Sequence, residues 1–179
     1  LAYKNGSWIV TLTGAEGVIP KAGIKFGILG KVYTLKTNDN GVASLAINLV
    51  PGTYSVNATF EGNYNHESAF VEATVTVEKA TATIASEDLA LCYKDGSAYA
   101  VTVTDANGIA VAGTTVKFSF GTKSYSIKTD TNGVAALPIN LNVGEYTVKA
   151  VVDDARYTCE EATNTITVTE YDAVLVAGN

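Results

Sequence analysis

The sequence predicts an all-β protein built from two tandem antiparallel β-sandwiches. Three observations lead to this prediction: the chain contains an internal sequence repeat, apolar residues alternate with polar ones, and turn signals separate the alternating runs. Residues 25–58 match residues 117–150 at an offset of 92, with identities at turn glycines and at every second residue between them. A repeat of this length fits one self-contained sandwich domain and is too long for a solenoid unit.

The second copy shows the elements most clearly, as seven short alternating runs. Its turns carry Asp-Ala-Asn-Gly at 105–108 and Asp-Thr-Asn-Gly at 130–133, and each supplies an Asn-Gly pair that tolerates positive φ. No segment shows helical periodicity, so an antiparallel immunoglobulin-like (Ig-like) sandwich is the best interpretation. The seven runs are 81–85, 99–103, 116–120, 125–127, 137–141, 144–150 and 166–168.

Each copy also has a tyrosine two residues after a glycine at the entry to a strand, Tyr54 in the first and Tyr146 in the second. This placement is typical of the tyrosine corner of Ig-like sandwiches, in which the phenol oxygen is tied to nearby backbone. An ordinary core tyrosine is the alternative.

The segments that flank the two copies of the repeat differ. We predict Ig-like domain 1 at 1–78, Ig-like domain 2 at 79–170 and a C-terminal strand at 171–179. Domain 2 opens with a strand at 80–85 that has no equivalent ahead of Leu1, whereas 171–177 falls on 79–85 at the offset of 92. A segment like the first strand of domain 2 is therefore lacking on the N-terminal side of domain 1 but is present on the C-terminal side of domain 2.

Two explanations fit this arrangement. The chain is a slice of a longer tandem array, or its C-terminal strand completes the open edge of domain 1 in the next chain. Exposed edges recruit strands, and a head-to-tail contact that does not close makes a filament. The candidate inter-subunit residues are Ala173, Val174, Leu175, Val176 and Ala177.

Charge and composition limit the classes of partner that the chain is expected to bind. The formal charge is −6 and the basic residues do not cluster, which argues against nucleic acid and anionic membranes. No apolar run approaches the roughly 20 residues that span a bilayer. The chain lacks both an initiator Met and an opening signal peptide, so we expect a mature or excised piece. Asn5 and Asn57 lie in sequons and are glycosylation candidates if the protein is secreted.

The only two cysteines, Cys92 and Cys159, both lie in domain 2. The first and last strands of an Ig-like sandwich can run close together, so a disulfide between them is one expectation. Two free, partly buried thiols are the other. A metal site is disfavoured because two thiolates without a further Cys or a nearby His are too few ligands.

No residue pattern points to catalysis. His66, the only histidine, has no nucleophile or second ligand near it in the sequence, and no nucleotide, phosphate or zinc-protease motif occurs. The Asx residues at the turns are expected to cap hairpins rather than bind Ca²⁺. A Lys94–Asn164 isopeptide crosslink between outer strands is a minor alternative. We therefore expect no enzyme, no cofactor and no metal.

Several segments resemble a known family. Tyr93-Lys94-Asp95-Gly96-Ser97, the turn 129–135 and Gly144-x-Tyr146-Thr147-Val148 are similar to the Ig-like repeats of archaeal adhesin-like surface proteins. More loosely, they resemble the bacterial Ig-like domains of invasin and intimin stalks. The resemblance implies an extracellular, cell-surface protein in which such repeats act as spacers, stalks or tips.

The expected function is structural: to extend, space or polymerise at a cell surface, with copies of itself or neighbouring Ig-like repeats as partners. The alternative is a module that binds a host or cell-surface ligand, such as a glycan, through the loops that differ most between the copies. The candidate residues are Tyr64, His66 and Phe70 in loop 60–70, and Arg156 and Tyr157 in loop 153–161.

Overall fold

The computed structural model describes residues 1–173 and residue 175, and this part of the chain contains strands and turns but no helix. The predicted all-β class is confirmed. The chain divides into two compact units, Leu1–Lys79 (unit 1) and Ala80–Asn179 (unit 2). No helix that could cross a membrane occurs among these residues.

Unit 1 contains a four-stranded antiparallel sheet, a two-stranded sheet and a small hairpin. The four-stranded sheet has the order β5-β4-β7-β8, the two-stranded sheet pairs β1 with β6, and the hairpin pairs β2 with β3. The strands are β1 Ser7–Thr11, β2 Thr13–Gly14, β3 Gly17–Val18, β4 Gly23–Ile28, β5 Lys31–Lys36, β6 Val42–Ala46, β7 Gly52–Phe60 and β8 Ala69–Val77.

Unit 2 repeats this plan with additional strands. Its strands are β9 Ala80–Ala85, β10 Leu89–Cys92, β11 Ala98–Asp105, β12 Thr115–Phe120, β13 Lys123–Lys128, β14 Val134–Pro138, β15 Gly144–Val152, β16 Tyr157–Thr158 and β17 Ala162–Thr169. One sheet has the order β10-β17-β15-β12-β13 and the other β14-β11-β9-β16. The pairs β10–β17 and β9–β16 are parallel.

The strands of unit 2 differ from the sequence prediction in two respects. The short strands β10 and β16 were not predicted, because neither is long enough to show alternation. The strand predicted at 137–141 instead starts at Val134, directly after the turn, because its pairing with β11 begins there.

Alternation places the predicted apolar residues in the cores. In unit 2, Tyr99 of β11 packs edge-on against Phe118 of β12, with ring centroids 5.9 Å apart, and both side chains are buried. In unit 1, Trp8 and Phe26 make the equivalent contact at 5.3 Å. An edge-to-face aromatic pair of this kind holds the facing sheets together.

Both predicted tyrosine corners are present. The Tyr54 hydroxyl donates a hydrogen bond to the Val50 carbonyl at 2.7 Å, and the Tyr146 hydroxyl donates to the Asn142 carbonyl at 3.0 Å. The turn carboxylates also act as predicted caps: Asp130 Oδ1 accepts from the backbone N–H groups of Asn132 and Val134.

One glycine turn presses against the strand beside it in each unit. Gly133 has a φ of 77°, and a Cβ there would lie 2.5 Å from the Val103 carbonyl oxygen. Gly41 stands at the same place against Leu12, with a φ of 72° and a distance of 2.7 Å. Only glycine fits this close approach of two backbones. These turns give a fixed point for comparing the units.

Candidate functional site

The two units differ at one edge of the sheet that contains β1 or β11. In unit 2, β11 pairs with β14 on one side and with β9 on the other. In unit 1, β1 pairs with β6 on the corresponding side. No strand in the described part of unit 1 pairs with its second edge. Unit 1 therefore has an open edge where unit 2 has a covered one.

The backbone groups at this open edge are positioned to pair with a further strand. The Leu12 N–H donates to the Gly41 carbonyl at 2.8 Å, and the Ile47 N–H donates to the Gly6 carbonyl at 3.0 Å, both on the β6 side. Backbone groups alternate in direction along a strand, so those of Ile9 and Thr11 are directed to the opposite edge. Both of these side chains are exposed.

An apolar groove of about 150 Å³ runs beneath this edge, between β1 and the start of β8. Val71 of β8, opposite buried Ala58, faces the groove and is 46% exposed, whereas Phe70, opposite Thr59, is 62% exposed on the other face of β8. The residues that line the groove include Val10, Leu12, Ile24, Ala58, Phe60 and Val71.

In unit 2 the equivalent groove is filled by the unit's own strand β9. Ala82 of β9 is 3% exposed within the core, and Ile84 packs against the same core. The difference shows at the equivalent positions Val10 and Val101: Val101 is only 1% exposed, whereas Val10 is half-buried. Unit 1 thus has an open groove where unit 2 has β9.

The sequence repeat shows that β9 has no counterpart among residues 1–79, but it does not identify the residues of the groove. Val10 and Leu12 were missed because the repeat offset of 92 does not hold in β1. Leu12 and Val103 make the same hydrogen bond to the turn glycine and are 91 residues apart. The alternation of Trp8, Val10 and Leu12 was the available signal.

The crossover between β9 and β10 is tied to β17 by a polar network. Asn164 Oδ1 accepts hydrogen bonds from the Tyr99 hydroxyl at 2.8 Å and from the Ser86 hydroxyl at 2.6 Å. Asp88 accepts from the Thr165 backbone N–H and from Asn164 Nδ2, and these two bonds lower the pKa of the Asp88 carboxyl. The network holds β9 within its own unit.

The same network argues against the Lys94–Asn164 isopeptide crosslink that the sequence left as an alternative. Lys94 lies in the turn after β10, with its ammonium 5.0 Å from the centre of the Tyr93 ring. Asn164 lies near the middle of β17, and its amide is engaged with Tyr99, Ser86 and Asp88. The structure does not bring the lysine and the asparagine together.

The disulfide expected between Cys92 and Cys159 is not formed, and both cysteines are free, half-buried thiols. The physical reason is the parallel pairing of β10 with β17. Cys92 lies opposite Thr169, at the end of β17, whereas Cys159 precedes the start of β17 at Ala162. The length of β17 separates them by about 20 Å, far beyond the reach of a disulfide. Burial raises the pKa of the Cys159 thiol.

The structure places the residues of loop 60–70 in two settings. Tyr64 is fully exposed at the loop tip, and His66 Nδ1 lies 3.0 Å from Asn63 Oδ1 within the loop. Phe70 instead belongs to β8, beside the apolar groove, with its side chain on the face opposite to that of Val71. Of the ligand candidates in this segment, Phe70 is therefore a strand residue and not a loop residue.

Loop 153–161 is held by its own side chains. Arg156 Nε donates to Asp154 Oδ1 at 2.8 Å, and its guanidinium lies 5.8 Å from the centre of the Tyr157 ring. Asp154 also accepts from the Thr114 hydroxyl at 2.9 Å. The hydrogen bond from Arg156 is the main reason that the pKa of Asp154 lies well below its usual range. These contacts stabilise the loop.

The remaining candidates are dispersed. Asn5 is exposed in the turn before β1, whereas Asn57 is half-buried in β7, with its amide lying over Gly27. No three His, Cys, Asp or Glu side chains within residues 1–173 and 175 are placed to hold a metal ion. Ala173 and Leu175 are exposed and outside any strand, and Val174, Val176 and Ala177 lie outside the described residues.

No protein-family model matches the chain, and no curated protein matches it. Among solved structures, invasin, a bacterial integrin-binding protein, is 22% identical with a TM-score of 0.48, over 94% of this chain and 37% of its own. The Yersinia pseudotuberculosis adhesin InvE is 14% identical with a TM-score of 0.47, over 93% of this chain and 55% of its own. A Ca²⁺-stabilised adhesin of an ice-binding Antarctic bacterium is 17% identical with a TM-score of 0.36, over 93% of this chain and 44% of its own.

The chain spans less than two thirds of the length of each of these three proteins. The likeness is one of fold alone.

Proposed function

We propose that this chain is an extracellular, adhesin-like structural protein of a cell surface, whose copies join head to tail by donating a strand. The contrast between the two units carries the proposal. The same edge is covered by β9 in unit 2 and open at β1 in unit 1. The sequence resemblance to surface-protein repeats supports the location.

The proposed occupant of the open edge is segment 171–177 of a second copy. Along the chain, β9 follows β8, the last strand of unit 1, and supplies the first strand of unit 2. Segment 171–177 follows β17, the equivalent of β8, in the same way. By this rule it supplies the first strand of the next unit, which in an assembly is unit 1 of another copy.

Strand donation would remove two costly features of unit 1 at once. The unpaired backbone groups of β1 would gain ladder hydrogen bonds, and the apolar groove with Val71 at its rim would be covered. Each copy has one donor segment and one acceptor edge. Such a contact is heterologous, and repetition of it extends a filament.

The first experiment measures solution mass by light scattering and appearance by negative stain for the whole chain and for a chain lacking 171–179. The whole chain is expected to form ladders or filaments, and the truncated chain only monomers. A second variant, Thr11→Pro, blocks the acceptor edge, because proline has no N–H to pair with an incoming strand.

The two variants control for each other. The truncated chain keeps an acceptor edge and Thr11→Pro keeps a donor segment, so a mixture of the two is expected to stop at a one-to-one dimer. Monomers in every sample, or filaments that survive truncation, would overturn the strand-donation proposal. A monomeric whole chain would leave a spacer within a longer array as the function.

The exposure of Tyr64 supports a second candidate function, binding of a host or cell-surface ligand such as a glycan. Exposed aromatic side chains offer flat contact area to a ligand at low conformational cost. The test is binding of the fluorescently labelled chain to cells and to a glycan array. Loss of binding in Tyr64→Ala, with Tyr157→Ala as a matched variant in the other loop, would favour this function. Binding unaffected by Tyr64→Ala would count against it.

A further inference from the structure

We infer that the donated strand docks in one register, antiparallel to β1, with Leu175 opposite Leu12 and its side chain in the apolar groove. This inference rests on the proposed function. It identifies which face of the donor segment the acceptor recognises, and it disagrees with the register that the sequence repeat indicates.

Unit 2 shows the register of a covered edge. β9 runs antiparallel to β11, with Ile84 opposite Val103 and Ala85 opposite Thr102. Ile84 and Ala82 face the core, whereas Thr83 and Ala85 are exposed. Any strand that replaces β9 in this geometry therefore presents every second residue to the groove.

The acceptor positions follow from the turn that both units share. The Val103 N–H donates to the Gly133 carbonyl, and the Leu12 N–H donates to the Gly41 carbonyl, both at 2.8 Å. Leu12 is therefore the structural equivalent of Val103, and Thr11 is the equivalent of Thr102.

The donor positions follow from the strand that precedes them. Tyr54 of β7 lies opposite Val75 of β8, and Tyr146 of β15 lies opposite Ile166 of β17. Val75 and Ile166 are 91 residues apart, although the two tyrosines are 92 apart. The chain from Tyr146 to Ile166 is one residue shorter than the chain from Tyr54 to Val75, so the residues that follow β17 also match at 91.

At this offset Leu175 takes the place of Ile84 and Ala173 takes the place of Ala82. The pattern suits the site, because a large and a small apolar side chain then face the groove as they do in unit 2. The repeat offset of 92 would instead bring Val176 opposite Leu12. A slip of one residue exchanges the two faces of a strand, so the registers predict opposite sets of buried residues.

The acceptor groove is also shaped differently from its equivalent in unit 2. Leu12 and Phe60 stand where unit 2 has Val103 and Val152, so the wall of unit 1 is bulkier.

Disulfide trapping between two chains tests the register. All chains carry Cys92→Ser and Cys159→Ser. One chain also carries Thr11→Cys, and its partner carries either Val176→Cys or Ala177→Cys. The Thr11 side chain is exposed and alternates with those of Val10 and Leu12, so the trap lies on the outer face of the strand. Directly opposite residues of paired strands fall within disulfide range.

Trapping with Val176→Cys and not with Ala177→Cys is the expected result. Trapping with Ala177→Cys alone would overturn the register and leave strand donation standing. Absence of both products from chains that are monomeric by light scattering would overturn strand donation itself.

A second pair of variants tests, without a crosslink, which face of the donor segment enters the groove. Leu175→Asp is expected to abolish assembly, and Val174→Asp to retain it. The reverse result would overturn the register.

Discussion

The Tyr99 hydroxyl donates a 2.8 Å hydrogen bond to Asn164 Oδ1, and this bond joins the two sheets of unit 2. Tyr99 is 1% exposed, and its burial raises the pKa of the phenol. In unit 1, Trp8 stands at the position of Tyr99 and Ala73 at that of Asn164, so no such bond forms there. The hydrogen bond between the sheets therefore occurs in unit 2, which contains β9, and not in unit 1.

Asn164→Ala is expected to destabilise unit 2 by about 1–3 kcal/mol, because it leaves the buried Tyr99 hydroxyl without its acceptor. Urea unfolding followed by circular dichroism measures the effect. Trp8, the only tryptophan, reports on unit 1 by fluorescence and is expected to show no change. Asn140→Ala, at an exposed position, is the control. Equal stability of the two variants would show that the bond contributes nothing.

Proline is expected to act differently on the two equivalent strands. Thr102→Pro removes a ladder donor that faces β9 and is expected to destabilise unit 2 by about 1–3 kcal/mol. Thr11→Pro, at the open edge, is expected to leave the unfolding of unit 1 within about 0.5 kcal/mol of the parent when measured on chains lacking 171–179. Trp8 fluorescence and circular dichroism in urea separate the two effects. A large loss in Thr11→Pro would mean that the edge is already paired.

Asp154→Asn is expected to lower the stability of unit 2 by about 1 kcal/mol at pH 7, through loss of the charged bonds to Arg156. The pKa of Asp154 is lower in the folded than in the unfolded chain. Its contribution is therefore present above the ordinary carboxyl pKa of about 4 and is lost as the pH falls. Unfolding curves between pH 7 and pH 2 are expected to converge for parent and variant. The exposed Asp153→Asn is the control, and a gap that does not change with pH would contradict the prediction.

The native chain is expected to have the mass of the reduced form, because β17 separates Cys92 from Cys159. Alkylation of the folded protein without a reductant should add two groups. Cys159 should react more slowly than a small-molecule thiol at the same pH, because burial raises its pKa and lowers the thiolate fraction. Intact mass and a time course of peptide mapping measure both. A mass about 2 Da lower, with no alkylation, would show that the disulfide forms.

Much of this architecture can be predicted from the amino-acid sequence alone. Alternation specifies which side chains enter the cores, as at Tyr99, Val101 and Val103, because a strand exposes its two faces in turn. The Asn-Gly turns and the two tyrosine corners follow from local backbone chemistry, which acts over a few residues. The sequence also shows that β9 of the second copy has no counterpart among residues 1–79.

The direction of pairing and the register depend on contacts between distant segments. Nothing local marks β10 as parallel to β17, yet that direction separates Cys92 from Cys159 and leaves both thiols free. Likewise, Leu12 is matched to Val103 only by its hydrogen bond to a turn glycine, because loops of unequal length shift the repeat by one residue. Local propensity acts on neighbours in the chain, whereas pairing is chosen by burial and hydrogen bonding over the whole unit.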